Sequence, residues 1–230
     1  MNKILLTIII AIVTLATQAQ QLAGAWELKM KKNEVVILAT ENYLTYTMYN
    51  STSQAFTRTW GGPYKFEGGK AIIDVEFSSA NVDEVGKEKS IKIRTVGNEF
   101  LKISTLNFKR IDDNNETPLA GGWQISQRAT STGEMQPMKP GARKTLKIIT
   151  GSRFQWIAMN TETGVFSGTG GGTYTLEGGI YTEQIEFFSK DGSRVGASLS
   201  FNAEVDDTEW QHSGKSSKGK PIKEVWSKIK

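Results

Sequence analysis

The chain has 230 residues, with 28 Lys plus Arg against 24 Asp plus Glu, 23 Gly, 6 Trp, one His and no Cys. The absence of cysteine excludes a disulfide scaffold, a thiolate metal site and a cysteine nucleophile, and one histidine excludes a His-based metal cluster or a His-containing catalytic triad within one chain. With 38% apolar and 23% charged residues the sequence is too apolar for a disordered chain, and a formal charge of +4 is too small for its sign to name a partner.

The chain begins with Lys3 followed by an apolar run from Ile4 to Val13, broken only by Thr7, and then by Leu15-Ala16-Thr17-Gln18-Ala19. A basic start, an apolar centre and small residues at the end predict a secretory signal peptide over residues 1–19. The run is shorter than the ~20 residues a spanning helix needs. The expected location is therefore outside the cytoplasm, periplasmic or secreted, with stability drawn from packing and hydrogen bonds rather than disulfides.

After this segment the sequence repeats itself. Leu22-Ala23-Gly24-Ala25-Trp26 returns as Leu119-Ala120-Gly121-Gly122-Trp123, and a constant offset of 110 then holds without a gap from Val36 and Leu146 to Ile103 and Ser213, with 17 of 68 positions identical. Gly61-Gly62, Tyr64, Glu67-Gly68-Gly69, Glu76-Phe77 and Val85-Gly86 all recur. Two copies of this length predict two domains, residues 20–112 and 119–230, joined by a polar linker over residues 113–118. Within each copy the apolar pattern has period two. Ala71, Ile73, Val75 and Phe77 alternate with polar residues, apart from Ile72, as do Tyr181, Ile185, Phe187, Leu199 and Phe201. Glycine or Asn/Asp clusters divide these runs every ~8–12 residues, the spacing of an all-β sandwich or barrel. About eight short strands per copy suffice to close a small barrel. An outer-membrane barrel is disfavoured by Thr45, Lys92, Arg94 and Gln155 on the outward faces.

A Gly-x-Trp opening followed by a meander of short strands resembles the lipocalin or calycin group. The second copy, with Arg153-Phe154-Gln155-Trp156, the run Gly170 to Leu176 and then Tyr181 to Glu186, is similar to the lipocalin-like domains of secreted bacterial proteins of unknown function. The resemblance implies an all-β fold of two tandem small antiparallel meander barrels and a capacity for small apolar ligands, with no cofactor. It also implies a structural motif at the closed end of each barrel: Gly24 and Trp26 with Arg110, Gly121 and Trp123 with Lys228. Lys228 departs from the usual arginine and lacks a planar guanidinium to stack.

If the apolar face of each strand points inward, the second barrel is lined by Leu176, Ile185 and Leu199 together with the expected ligand contacts Phe154, Trp156, Tyr174, Tyr181, Glu183, Phe187 and Phe201, an apolar, aromatic wall carrying one carboxylate. Such walls suit mostly hydrophobic ligands oriented by a few polar groups; they also suit a barrel simply filled by its own side chains. A buried Glu183 needs a partner, and Tyr174, Tyr181, Arg143 and Arg194 are candidates, with a ligand's polar end as the alternative. Its counterpart in the first copy is Ile73.

Thirteen extra residues between Trp123 and Leu146, including Met135 and Met138, form either a lid or a tolerated insertion. The run Gly168 to Thr173 lacks the Lys and helix of a phosphate loop and reads as a strand bend or bulge. His212 aligns with Lys102 and is expected to be exposed, and the C-terminal lysines are expected on a solvated hairpin. Glu183 and Glu186 fall on opposite strand faces, so they form no two-carboxylate pair. The expectation is a non-catalytic binding protein with a possible small hydrophobic ligand as partner, no metal, no nucleic acid and no integral membrane segment after signal cleavage. The alternative is an envelope interaction module whose outer surface binds protein or glycan.

Overall fold

The computed structural model describes residues 22–53, 55–113, 117–216 and 218–229. The predicted signal peptide lies outside the described residues, as does the centre of the predicted linker. The first copy contains β1 (Gly24–Lys29), β2 (Asn33–Ala39), β3 (Tyr43–Asn50), β4 (Phe56–Glu67), β5 (Lys70–Asp74), β6 (Phe77–Ser78), β7 (Glu88–Val96), β8 (Phe100–Ile103) and β9 (Leu106–Asp112). The second contains β10 (Gly121–Ala129), β11 (Met135–Pro137), β12 (Arg143–Ile149), β13 (Arg153–Asn160), β14 (Phe166–Glu177), β15 (Ile180–Phe188), β16 (Ser198–Val205), β17 (Glu209–Lys215) and β18 (Pro221–Lys228). Sequential strands pair antiparallel, and each sheet closes on itself, β9 on β1 and β18 on β10. Each copy is thus a closed eight-stranded barrel. In the first, β5 and β6 share the place that β15 holds alone in the second.

The Gly-x-Trp opening closes one end of each barrel. Trp26 and Trp123 are fully buried, and their indole N–H groups donate to the carbonyls of Leu22 and Leu119 at 2.9 and 2.8 Å. The Arg110 guanidinium lies 4.0 Å above the Trp26 ring, and Lys228 Nζ lies 5.5 Å from the Trp123 ring. The lysine keeps the cation over the indole at longer range and without planar stacking. Gly24 has φ +124°, and a side chain there would drive its Cβ to 2.1 Å from the Asp112 carbonyl oxygen, so the position demands glycine.

A bulge explains where the alternation misleads. In the second barrel Gly171 pairs with Phe187 while Gly172 pairs with Ile185, so Glu186 is the extra residue. A Cβ on Gly172 would stand 2.0 Å from the Gln184 carbonyl oxygen, and one on its equivalent Gly62 would stand 1.9 Å from that of Asp74. The repeated glycine pair of the sequence is therefore a bend in which two strands come too close for side chains. Tyr181, Glu183 and Ile185 face the barrel interior. Beyond the bulge the phase inverts, and Phe187 points out of the barrel.

Phe187 is instead part of the seam between the barrels. The outer faces of β2 and β12 place Val36, Leu38, Leu146 and Ile148 in one buried cluster with Tyr49, Phe77, Ile157, Met159 and Phe187. Equivalent residues meet across the seam. Phe56 stacks on Phe166 at 6.4 Å with an interplanar angle of 7°, and the Gln155 amide nitrogen donates to Thr59 and its counterpart Thr169, each at 3.0 Å. Meeting of like with like is the signature of a two-fold interface, here built within one chain. Lys144 with Glu76, Arg153 with Glu186, and Asp112 with Thr150 and Ser152 add polar contacts between or beside the barrels.

Candidate functional site

Six of the seven expected ligand-contact residues occur inside the second barrel. Phe154, Tyr174, Tyr181, Glu183 and Phe201 are buried there, and Trp156 is half-buried against the same cluster. Phe187 is the exception, for the reason of the bulge. Of the four candidates Tyr181 interacts with Glu183, but the ion-pair partner of Glu183 is a residue outside that list. It is Lys147, whose Nζ lies 2.8 Å from Glu183 Oε1, with both residues 5% exposed. Tyr174 donates instead to the Thr150 carbonyl, and Arg194 pairs with Asp191. Lys147 lies on β12 between Leu146 and Ile148, which face the seam, so the strand turns an apolar face outward and a lysine inward. Its ammonium sits 4.7 Å from the Trp210 ring, 5.0 Å from Tyr181, 5.3 Å from Trp226 and 5.9 Å from Phe201. The carboxylate and four π faces together replace the water that such a buried cation loses.

His212 is buried at 3% exposure, contrary to expectation. It sits on β17 with its ring centroid 4.1 Å from that of Phe201, and it is packed against Trp210 and Tyr181. Its register partner Glu224 on β18 accepts two hydrogen bonds from Arg128, at 2.8 and 3.1 Å, and one from Trp226 Nε1 at 3.2 Å. Glu224 Oε2 is 3.5 Å from His212 Nδ1, too far for a good hydrogen bond. Among the described residues, His212 Nε2 and Trp210 Nε1 are buried with no hydrogen-bond partner, and the Tyr181 hydroxyl is buried beside Glu183. Tyr181 is near enough to Glu183 to feel its charge, but burial is the main cause that raises its pKa well above the ordinary value.

Burial lowers the His212 pKa, helped by the charge of Lys147, while Glu224 and Glu183 oppose the shift. For Glu224, burial pushes upward, but His212, Arg128 and Lys147 overcome it and bring the carboxyl from 4.5 down to about 2. Both groups make acid destabilising. The unfolded histidine takes up a proton near 6.5 when the folded one resists it, and the unfolded Glu224 binds its proton near 4.5 when the folded one does not. The Glu224 contribution is present above its unfolded pKa and disappears as pH falls toward 2. The melting temperature is expected to fall progressively from pH 7 to pH 3, and His212→Phe should remove the upper part of that fall. An unchanged profile in the variant would contradict this assignment.

Strand direction places the chamber. Trp123, Lys228 and the turns after β12, β14 and β16 lie at one end, and the connections leaving β10, β13, β15 and β17 lie at the other. Toward this second end the half-buried Trp156, Phe188, Leu199 and Ile222 pack on the core. In register they stand beside the buried polar residues, Trp156 opposite Lys147 and Leu199 opposite Glu183. The thirteen extra residues form a hairpin at this end, with β11 pairing on Gln127 to Ala129 of β10; Met138 is exposed and Met135 half-buried. The glycine run is strand β14, as expected of a bend. Elsewhere an open cleft of about 600 Å³ is lined by Tyr64, Phe66, Lys228 and Ile229. Another of about 410 Å³ is lined by Glu34, Tyr49, Arg153 and Glu186, where the arginine charge is met by Glu186.

Sequence reasoning missed Lys147, His212, Glu224, Trp210 and Trp226. One signal was available. At the offset of 110, Ile37 and Ile73 of the first barrel become Lys147 and Glu183 of the second, a paired change from two apolar residues to opposite charges. Ile37 and Ile73 are both buried in the first core.

Residues 118–230, just under half of the chain, match the family described as a domain of unknown function, DUF4488. None of the curated proteins matches the chain. Among solved structures, a lipocalin-like protein from Bacteroides uniformis is 16% identical over 49% of this chain and 100% of its own, with a TM-score of 0.36. An uncharacterized protein from Bacteroides eggerthii is 14% identical over 48% of this chain and 98% of its own, with a TM-score of 0.34. A protein of unknown function of the DUF3598 family from Nostoc punctiforme is 12% identical over 92% of this chain and 99% of its own, at 0.24. Scores of this size carry no argument about fold, which rests on the strand order and the closed sheets. By that strand order and its two Gly-x-Trp closures the chain is a tandem pair of lipocalin-like barrels, the second of which matches a domain family of unknown function.

Proposed function

We propose that the chain is an exported, non-catalytic binding protein whose second barrel takes a small apolar or amphipathic ligand. The observation that supports this reading is the group of charged and polar side chains buried among the aromatic residues of the second core, Lys147 paired with Glu183 and His212 beside Glu224. A mostly apolar wall with a few convergent polar groups is the usual make-up of a small-molecule site. The first barrel lacks it, since its interior holds Ile37, Ile73, Leu101 and Phe108 in a continuous apolar core. Export is supported by Lys3 and the apolar run that follows, and the mature protein is expected to begin at Gln20.

Native mass spectrometry of the mature protein, purified gently from its own host, tests the reading. A stoichiometric small molecule released on denaturation supports it and reveals the cargo. Tryptophan fluorescence gives the second readout, because Trp156, Trp210 and Trp226 all belong to the second core. Leu199→Arg is expected to weaken binding by about tenfold or more, the equivalent of ~1.4 kcal/mol, with the melting temperature little changed at this half-buried site. An apo mass together with no fluorescence response to any amphiphile tried would overturn the proposal.

A further inference from the structure

The first barrel leaves open a strand edge that the second barrel covers. In the second, β16 pairs with β17 from Phe201 to Val205, whereas in the first β7 pairs with β8 only from Ile93 to Val96. The chain then turns at Ser104 and Thr105 into β9. Among the described residues, the first half of β7, Glu88 to Lys92, pairs with β5 on one side and with no strand on the other. On the β5 side the Ile93 N–H donates to the Gly69 carbonyl at 2.9 Å, so strand alternation turns the backbone groups of Ser90 and Glu88 toward the open edge. Ser90 borders an open cleft of about 550 Å³ there, lined also by Ile91, Lys92, Arg94, Lys102 and Ile103.

No carboxylate lines this cleft. Lys92, Arg94 and Lys102 take part in no ion pair among the described residues, and Arg94 stands directly opposite Lys102. Like charges opposed across a ladder are destabilising. The fold does not require them, since the second barrel has Asn202 in place of Lys92 and pairs Glu204 with Gln211 in place of Arg94 with Lys102. Where the second barrel covers its edge, Gly214 lies opposite Phe201, and a Cβ there would stand 2.8 Å from the Phe201 ring. The first barrel has Ile91 in place of Phe201, half-buried on the core beside Ile103, and this smaller side chain admits an apolar residue opposite it. Unpaired backbone, apolar side chains behind it and free cations in front describe one kind of partner. We infer that the Glu88–Lys92 edge takes an extended acidic segment of a partner protein, which adds a strand beside β7. Its apolar side chains turn toward Ile91 and Ile103 and its carboxylates toward Lys92, Arg94 and Lys102. A cationic edge of this kind repels a second copy of itself and attracts an acidic strand.

The test is fluorescence anisotropy of dye-labelled peptides with the full mature chain, at about 20 mM and about 500 mM NaCl. The probes are capped Glu-Val-Glu-Val-Glu, capped Lys-Val-Lys-Val-Lys, and the acidic peptide methylated on every backbone nitrogen. The first is expected to bind at least about tenfold more tightly than the other two at low salt, because the second meets like charge and the third has no N–H to pair. High salt should narrow the gap between the first two. Ser90→Pro loses an N–H that faces the open edge, so it should abolish binding at a little-changed melting temperature; the peptide comparison stands even if that variant unfolds. Lys92→Glu/Arg94→Glu should reverse the preference between the acidic and basic peptides. Equal binding of the plain and methylated acidic peptides would show attraction by charge without strand pairing and overturn the proposal. No binding of any peptide would overturn it, as would tighter binding of a uronate oligosaccharide than of the acidic peptide. Dimerisation of the chain that Ser90→Pro abolishes would overturn it in favour of a second copy at this edge.

Discussion

Lys147→Met is expected to destabilise the second barrel by about 3–5 kcal/mol, the cost of leaving a buried charge without its partner. The methionine fills the same space, so packing is nearly kept; what is lost is the cation 2.8 Å from Glu183, in a chamber where that carboxylate has 5% exposure. Glu183→Ile alone should cost a similar amount by stranding the ammonium. The double variant Lys147→Ile/Glu183→Ile installs the pair found at the same places in the first barrel, Ile37 and Ile73. Replacing a buried ion pair by apolar residues is often neutral or stabilising, so the double variant should be more stable than either single one. Urea denaturation followed by near-ultraviolet circular dichroism measures all three. A double variant as unstable as the sum of the single changes would sink this account of the chamber. If the pair is retained for ligand binding rather than for stability, the double variant should also lose the fluorescence response to amphiphiles while folding well.

Phe187→Ala should cost about 3–5 kcal/mol by opening a cavity in the seam. Phe187 is 3% exposed, with its ring centroid 5.2 Å from that of Tyr49 and 6.5 Å from that of Phe56, both in the other copy. The loss should appear as a lower midpoint for the whole chain, because the seam couples the two barrels. Ligand affinity should stay within about twofold, since the side chain points away from the chamber. A large fall in affinity with little loss of stability would place Phe187 inside the barrel and contradict the bulge.

These two residues show where reading the sequence stops. Phe187 continues a clean alternation with Tyr181, Glu183 and Ile185, and nothing local announces that Glu186 is an extra residue. The inversion comes from two strands approaching so closely at Gly172 that a Cβ would meet the Gln184 carbonyl. His212 aligns with Lys102, yet it is buried, because the register of the repeat slips by one residue here: His212 pairs with Ala203 as Ile103 pairs with Ile93, the counterpart of Ala203.

The duplication, the period-two strands, the closing tryptophans with their cations and the glycine bend were all legible in the residues, because each depends on local backbone geometry or on repetition along the chain. So were most of the residues inside the second barrel, since alternation alone assigns a face. The Lys147 and Glu183 pair, the orphaned polar atoms around His212 and the like-with-like seam were decided only by the tertiary structure. They join residues 36 positions apart and strands from different barrels, and the low dielectric that makes such pairings decisive exists only once the sheets have closed around them.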